Sequence, residues 1–300
     1  MTRIAYYLII KPLSLLPLQV LYFINWPFYV VVAYVVKYRK PVITRQLNES
    51  FPEKSDAEIR ELRRKFYRHF VDVLIESLKE LSISEKEIVR RFRLTNPEIL
   101  EPFYKAGRNV AMVMGHQGNW EYSAALQNQM IYQFVCLYKP LKNKFLDKKI
   151  HDSRTKHGCE VISIFDIGKF VKAEQPNPYM LIFIADQDPP GKSKMFWTDF
   201  LNHETAVAAG AERYAKMLDM PVFFGHIIKV KRGHYEMTFE LLEENPKEAP
   251  NGEITAKHTE ALERNIMNNP AYWLWSHKRW KKKSRAEFEM EQAEKKQTAG

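Results

Sequence analysis

Residues 109–122, reading NVAMVMGHQGNWEY, constrain this chain more than any other stretch. Val110 to Met114 is short, wholly apolar and partly β-branched, which predicts a buried strand. Gly115 and Gly118 break regular structure and allow unusual backbone angles or close approach of a ligand. Asn119 is a good helix N-cap, and Trp120-Glu121-Tyr122-Ser123 follows as a first turn. Strand, glycine-broken loop and helix start are the building unit of an α/β fold.

The same segment predicts a reactive site. His116 and Glu121 are five residues apart. On one continuous helix that is about 500°, which leaves the side chains roughly 140° apart, so the loop is what brings them together. A carboxylate at a helix N-terminus is favoured by the dipole and stays ionised. Bonded to one imidazole nitrogen, Glu121 would fix the tautomer and stabilise the imidazolium. The other nitrogen is then free to deprotonate a hydroxyl that attacks an acyl carbonyl. Backbone N–H groups around Gly118 are candidates to hold the developing oxyanion. No HExxH or CxxC pair occurs, so neither metal nor other cofactor is expected.

From residue 108 onward strands and helices alternate. Strands are expected at 110–114, 134–138, 160–164, 180–185, 221–229 and 235–242. Helices are expected at 120–130, 143–157, 166–174, 205–218 and 254–268. This predicts an α/β fold with a mixed, mostly parallel sheet covered by helices, and ligands gather at the carboxyl ends of such strands. His116 follows one strand; Asp186-Gln187-Asp188 follows another, Met180 to Ala185. Upstream, 37–55 reads as a polar connection. A helix then starts at Ser55, with apolar positions Ile59, Leu62, Phe66, Phe70, Val73, Leu74 and Leu78 and a basic face of Arg60, Arg63, Arg64, Lys65 and Arg68.

The N-terminus bears on partners. No charged residue lies between Lys11 and Lys37. As a helix, Pro12 to Val36 would span about 37 Å, enough to cross a hydrocarbon core of about 30 Å with tilt. Pro17, Asn25 and Pro27 interrupt it, so a kinked or re-entrant anchor fits as well as a clean span, and a buried core helix is the soluble alternative. Lys37, Arg39, Lys40 and Arg45 make the downstream flank the more basic one, which predicts a body on the cytoplasmic side. Three segments follow: an anchor at 1–45, an α/β domain at 46–281 and a charged tail at 282–300. The net charge of +10 asks for an anionic partner. Basic residues with interleaved aromatics suit nucleic acid too, but no binding module is present and that function has no use for His116 and Glu121. Cys136 and Cys159 lack framework spacing, which suggests a reducing compartment; a pairing between them stays open.

With these residues in view, the chain resembles the bacterial lipid A late acyltransferases, distant relatives of the HxxxxD/E glycerolipid acyltransferases. His116 to Glu121 resembles the family's HxGNWE core, and Leu137-Tyr-Lys-Pro140 its YRP/YKP segment. Arg154 matches its single arginine before the next strand. Ala185 to Asp188 is similar to its ADQD turn, and the stretch from Phe200 to Gly210, with Thr205, to its phenylalanine, threonine and glycine block. Residues 269–281, NPAYWLWSHKRWK, resemble its closing element. Ala271, where glutamate is usual, and Met195 to Phe200, in place of a more aliphatic run, depart from the pattern.

The resemblance implies transfer of a fatty acyl group from an acyl carrier protein thioester to a hydroxyl of a phosphorylated lipid A precursor at the inner membrane. His116 would be the general base, Glu121 its orienting partner, and Arg154 a stabiliser of oxyanion charge, a grip on an anionic group or a plain salt bridge. Gly118, Asn119, Trp120, Asp186, Gln187 and Asp188 would line the substrate. Asp186 and Asp188 are placed to position sugar hydroxyls or Arg154, or simply to cap a turn. A lysophospholipid or another membrane lipid is the alternative acceptor. Lys139, Lys142, Lys144, Lys148 and Lys149 lie near the expected site, and Lys278, Arg279, Lys281, Lys282 and Lys283 close the folded region; both groups suit an acidic carrier and a phosphorylated acceptor. Trp273, Trp275 and Trp280 read as core packing or as an interfacial belt.

Overall fold

The computed structural model describes residues 2–190, 194–282 and 284–290. Lys283 and most of the expected charged tail lie outside the described residues. Seven strands form one sheet: β1 (Phe92–Leu94), β2 (Val110–Met114), β3 (Gln133–Tyr138), β4 (Glu160–Ser163), β5 (Tyr179–Ile184), β8 (Val222–Lys231) and β9 (His234–Glu243). Their order is β1-β9-β8-β2-β5-β3-β4, and every pair is parallel except the β8–β9 hairpin. β6 (Met195–Phe200) and β7 (His203–Ala208) form a separate antiparallel ribbon. The α/β architecture with a mostly parallel mixed sheet is therefore as expected.

Side chains on the central strands alternate between two cores, as a sheet buried on both faces requires. Ala111, Val113, Leu181 and Phe183 enter one core with Trp273, Trp275 and Trp280. Met112, Met114, Met180 and Ile182 enter the other with Tyr122 and Leu126. The tryptophans are thus core residues. Cys136 and Cys159 are free thiols whose sulfurs lie 3.2 Å apart.

Three local expectations are corrected. The helix expected at 205–218 is strand β7 followed by the helix Gly210–Leu218, because Thr205 to Val207 pair with β6 and bury against the core. The polar connection at 37–55 contains the helix Lys40–Ser50, started by left-handed Arg39 and by Pro41 in its first turn. The segment after Trp120 is a 3-10 helix, Glu121–Gln129, rather than an α-helix.

The apolar N-terminal segment breaks at Leu16-Pro17, where the backbone turns extended. Beyond it, Leu18–Val35 is long and apolar enough to be a membrane-span candidate. It packs along the helix Asp56–Glu80, which opens with a capping box at Ser55. Leu18, Leu21, Asn25, Tyr29 and Ala33, spaced three or four apart, form its buried face. The partner helix holds a buried polar stripe of His69, Asp72, Glu76 and Glu80 where sequence periodicity suggested only apolar residues, and Leu74 faces out.

The closing element is pinned by one side chain. Gln46, fully buried, donates to the carbonyls of Trp275 (2.8 Å) and His277 (2.9 Å) and accepts from the Arg279 amide (2.8 Å). Gln46→Leu leaves three backbone groups unpaired, at about 1–3 kcal/mol each. We expect a loss of at least about 3 kcal/mol, read as a lower denaturant midpoint with unchanged slope; a midpoint equal to wild type would remove Gln46 from this role.

Candidate active site

Met114 and Ile184 are register partners at the carboxyl ends of β2 and β5, so the loops after them emerge side by side. The backbone bond from Ala185 N–H to Met114 O (3.1 Å) holds them together. His116 lies two residues beyond one strand and Asp186 two beyond the other. Asp186 is buried and takes three hydrogen bonds: from the His116 amide (2.8 Å), from His116 Nδ1 (2.6 Å) and from Trp273 Nε1 (2.7 Å).

The partner on His116 Nδ1 is thus Asp186, where the spacing had suggested Glu121. Glu121 instead accepts from Arg154 Nη2 at 2.8 and 3.2 Å. Arg154 reaches it from the last turn of the helix Lys144–Thr155, capped by Asn143. That pair lies near enough for both charges to act on His116. The structure brings His116, Glu121, Arg154, Asp186 and Gln187 together, in two linked pairs rather than one. The Trp120 ring stands edge-on to the imidazole at 5.0 Å between centroids. Gln187 Nε2 lies 3.3 Å from His116 Nε2, on the accessible side of the ring.

Electrostatics follow from this geometry. Burial alone would pull the His116 pKa down, but the Asp186 charge and hydrogen bond outweigh it and leave the imidazole above its ordinary 6.5. Burial would raise the Asp186 pKa; His116 and the Trp273 bond outweigh it and bring it down to about 2. Asp186 therefore stays ionised wherever the protein is folded and active. In its neutral form, His116 carries its proton on Nδ1 and presents a basic Nε2.

Other residues turn out to be struts. Asn119 is fully buried; its Oδ1 accepts from the Tyr122 amide (3.2 Å) and its Nδ2 donates to Glu76 (2.7 Å). Gly118 sits at φ +58, and an added Cβ would lie 2.7 Å from Ile227. Its N–H donates to Tyr272 O (3.0 Å) and is not free for an oxyanion, because the closing element occupies that side of the loop. Asp188 turns away from Arg154: its amide donates to His277 Nε2 (3.2 Å) and its carboxylate takes Lys282 (3.1 Å). Among the described residues no cluster of three His, Cys, Asp or Glu side chains is placed to hold a metal.

Sequence reasoning missed two carboxyls on the helix Asp56–Glu80. Glu76 gathers Tyr22, Tyr235 and Asn119. Glu80 is buried beside the Glu121–Arg154 pair; burial first and then the Glu121 charge raise its pKa to about 8, against the pull of Arg154. The signal was their spacing: 69, 72, 76 and 80 share one helical face.

A family model described as bacterial lipid A biosynthesis acyltransferase matches residues 1–282. No curated protein sequence matches the chain. The chain belongs to the bacterial lipid A biosynthesis acyltransferase family.

The raised His116 pKa sets the sign of the pH dependence. If His116 serves as a general base it works only when neutral, and activity should then rise with pH through an apparent pKa above 6.5. Asp186→Asn removes the charge that raises it; the acidic limb should move to lower pH while the maximum rate falls about 10²–10⁴-fold, by analogy with loss of an orienting carboxylate. A limb that stays in place in the variant would deny the coupling. Separately, Gly118→Ala combines a left-handed backbone with a clash, and should lower stability by about 1–3 kcal/mol in thermal or denaturant unfolding.

Proposed function

We propose that this family member moves a fatty acyl group from an acyl carrier protein thioester to a hydroxyl of a lipid A precursor, with His116 as general base. The observation that carries the reading is the 2.6 Å bond between His116 Nδ1 and the buried Asp186, which leaves Nε2 to face the acceptor. The acceptor oxygen gives its proton to Nε2 as it attacks the thioester carbonyl carbon. Collapse of the tetrahedral intermediate expels the carrier thiolate, which takes the proton back from the imidazolium. The products are an ester and a free thiol, and no acyl-enzyme is required because the thioester is already activated.

Asp186 orients and charges the base in this reading. Arg154, fixed by Glu121, supplies the positive charge for the oxyanion in place of the Gly118 amide. Glu121 therefore acts through Arg154 and through its field on His116. Gln187 and Trp120 flank the imidazole and border the acceptor. The apolar helix Leu18–Val35 and the basic flank at 37–45 support association with the inner membrane from the cytoplasmic side. The exposed lysines of the helix Lys144–Thr155 suit an acidic carrier protein.

Purified protein in detergent micelles, given labelled acyl carrier protein thioester and a lipid A precursor, should form the acylated glycolipid. His116→Ala should cut transfer by about 10³-fold or more, with Arg154→Ala and Glu121→Gln falling together, about 10²–10³-fold each. Transfer only to a lysophospholipid would keep the chemistry and replace the acceptor. Undiminished transfer by His116→Ala would remove the general base from the reading.

A further inference from the structure

The β8–β9 hairpin tip, the N-terminal apolar helix and the helix Asp56–Glu80 border a cavity of about 440 Å³ that His116 does not line. Four cations line it: Arg68, Lys229, Lys231 and Arg232. Its only carboxylate among the described lining residues is Asp72, which is already held by Arg232 (2.6 Å) and lies 3.9 Å from Lys229. Arg68 and Lys231 form no ion pair among the described residues; Arg68 rests over the Tyr29 ring at 5.5 Å. Lys229 is nearly buried, with its side chain 9% exposed, and its Nζ lies 3.1 Å from His69 Nδ1. Burial pushes its pKa down while Asp72 and Glu76 support the charged form.

Concentrating cations in one concavity costs free energy through desolvation and mutual repulsion, and an anion offsets that cost. The neighbouring cavity adds to the effect, less the Arg90 and Arg91 charges that Glu87 already pairs at 3.7 and 2.6 Å. About 310 Å³ in volume, it shares Val230 and Lys231 with the first and adds Arg90, Arg91, Arg93 and His234 against Glu236. Guanidinium forks grip phosphate and carboxylate alike, and a phosphate monoester brings up to two charges to offset the four cations.

The apolar helix that shares this lining says what an anionic group there would be attached to. Trp26 lines the cavity and is 67% exposed, and Phe23 beside it is 83% exposed. Both belong to the apolar helix Leu18–Val35, whose outward face also shows Val31, Tyr34 and Val35. A free phosphate needs no such face; a lipid does, because its chains can lie along the helix while its headgroup enters the cavity. The volume also exceeds what a bare phosphate fills.

We propose that this cavity is a binding site for the anionic phosphomonoester headgroup of a membrane lipid, distinct from the His116 centre. It backs onto the reactive loop: Tyr272, on its wall, accepts the Gly118 amide through its carbonyl (3.0 Å), and His69 bridges Lys229 to Gly118 O (3.1 Å). The inference does not depend on the reaction, since it concerns binding alone.

Calorimetric titration of the full-length protein in detergent with short-chain, monomeric phosphatidic acid tests it. Phosphatidylcholine of the same chain length and inorganic phosphate serve as the other two probes. Arg68→Gln/Lys231→Gln removes two exposed cations and leaves the Arg232–Asp72 pair intact. Lys169→Gln/Lys172→Gln removes the same charge from a distant surface. Phosphatidic acid should bind at least tenfold tighter than either other probe. The cavity variant should lose at least tenfold, and the distant variant less than twofold. Equal loss in both variants, or none in the cavity variant, would overturn the site. Inorganic phosphate binding as tightly as the lipid would overturn the lipid assignment. Because no turnover is read, failure here leaves the proposed acyl transfer standing.

Discussion

Asp186 is the junction on which this structure turns. One buried carboxylate accepts from the His116 amide, the His116 ring and the Trp273 indole. It therefore ties together the ends of two adjacent parallel strands and the closing element of the chain. Burial of an ionised group is costly unless it is fully hydrogen-bonded, and here three donors meet it. The same bonds that make the carboxylate tolerable fix the tautomer of the histidine. The packing of the junction and the tautomer of His116 thus rest on one set of contacts, and Gly115 is glycine partly because an added Cβ would lie 3.3 Å from Asp186 and 2.5 Å from Leu262.

A second layer keeps that junction still. The polar stripe of the helix Asp56–Glu80 holds the reactive loop from behind, His69 through Gly118 O and Glu76 through Asn119. The closing element holds it from the other side, through Tyr272, Trp273 and the Gln117 bridge. Gln46 and Thr205 in turn fix that element, the latter by accepting from Trp280 Nε1 at 2.8 Å. The apolar helix joins the same network, since Tyr22 donates to Glu76 and Asn25 to Asp72. A helix of span-candidate length, bonded to the back of the His116 loop, is a physical route by which the surroundings of that helix and the loop geometry become linked.

Much of this was legible in the residues. The strand before His116 and the strand before Asp186 are continuous apolar runs, which is how parallel strands buried on both faces read. The choice of His116 followed from the glycines and the N-cap around it. Its carboxylate partner did not, because local spacing proposes Glu121, whereas Asp186 is seventy residues away and arrives only through the pairing of β2 with β5. β7 was misread as helix because Thr205 to Ala211 is rich in alanine, and only pairing with β6 settles it. Glu76 and Glu80 escaped notice because a charged residue on a helix normally faces water; here tyrosines and an asparagine across the packing interface, or a low-dielectric site beside Arg154, change that.

The central claim is that Asp186 holds His116 as a strong base protonated on Nδ1 when neutral. Imidazole nitrogen chemical shifts of histidine-labelled protein in micelles, followed with pH and assigned by His116→Gln, measure this directly. The account predicts a neutral form protonated at Nδ1, a titration above 6.5, and a fall in that value in Asp186→Asn. A neutral form protonated at Nε2, or a titration below 6.5 that ignores Asp186→Asn, would contradict it.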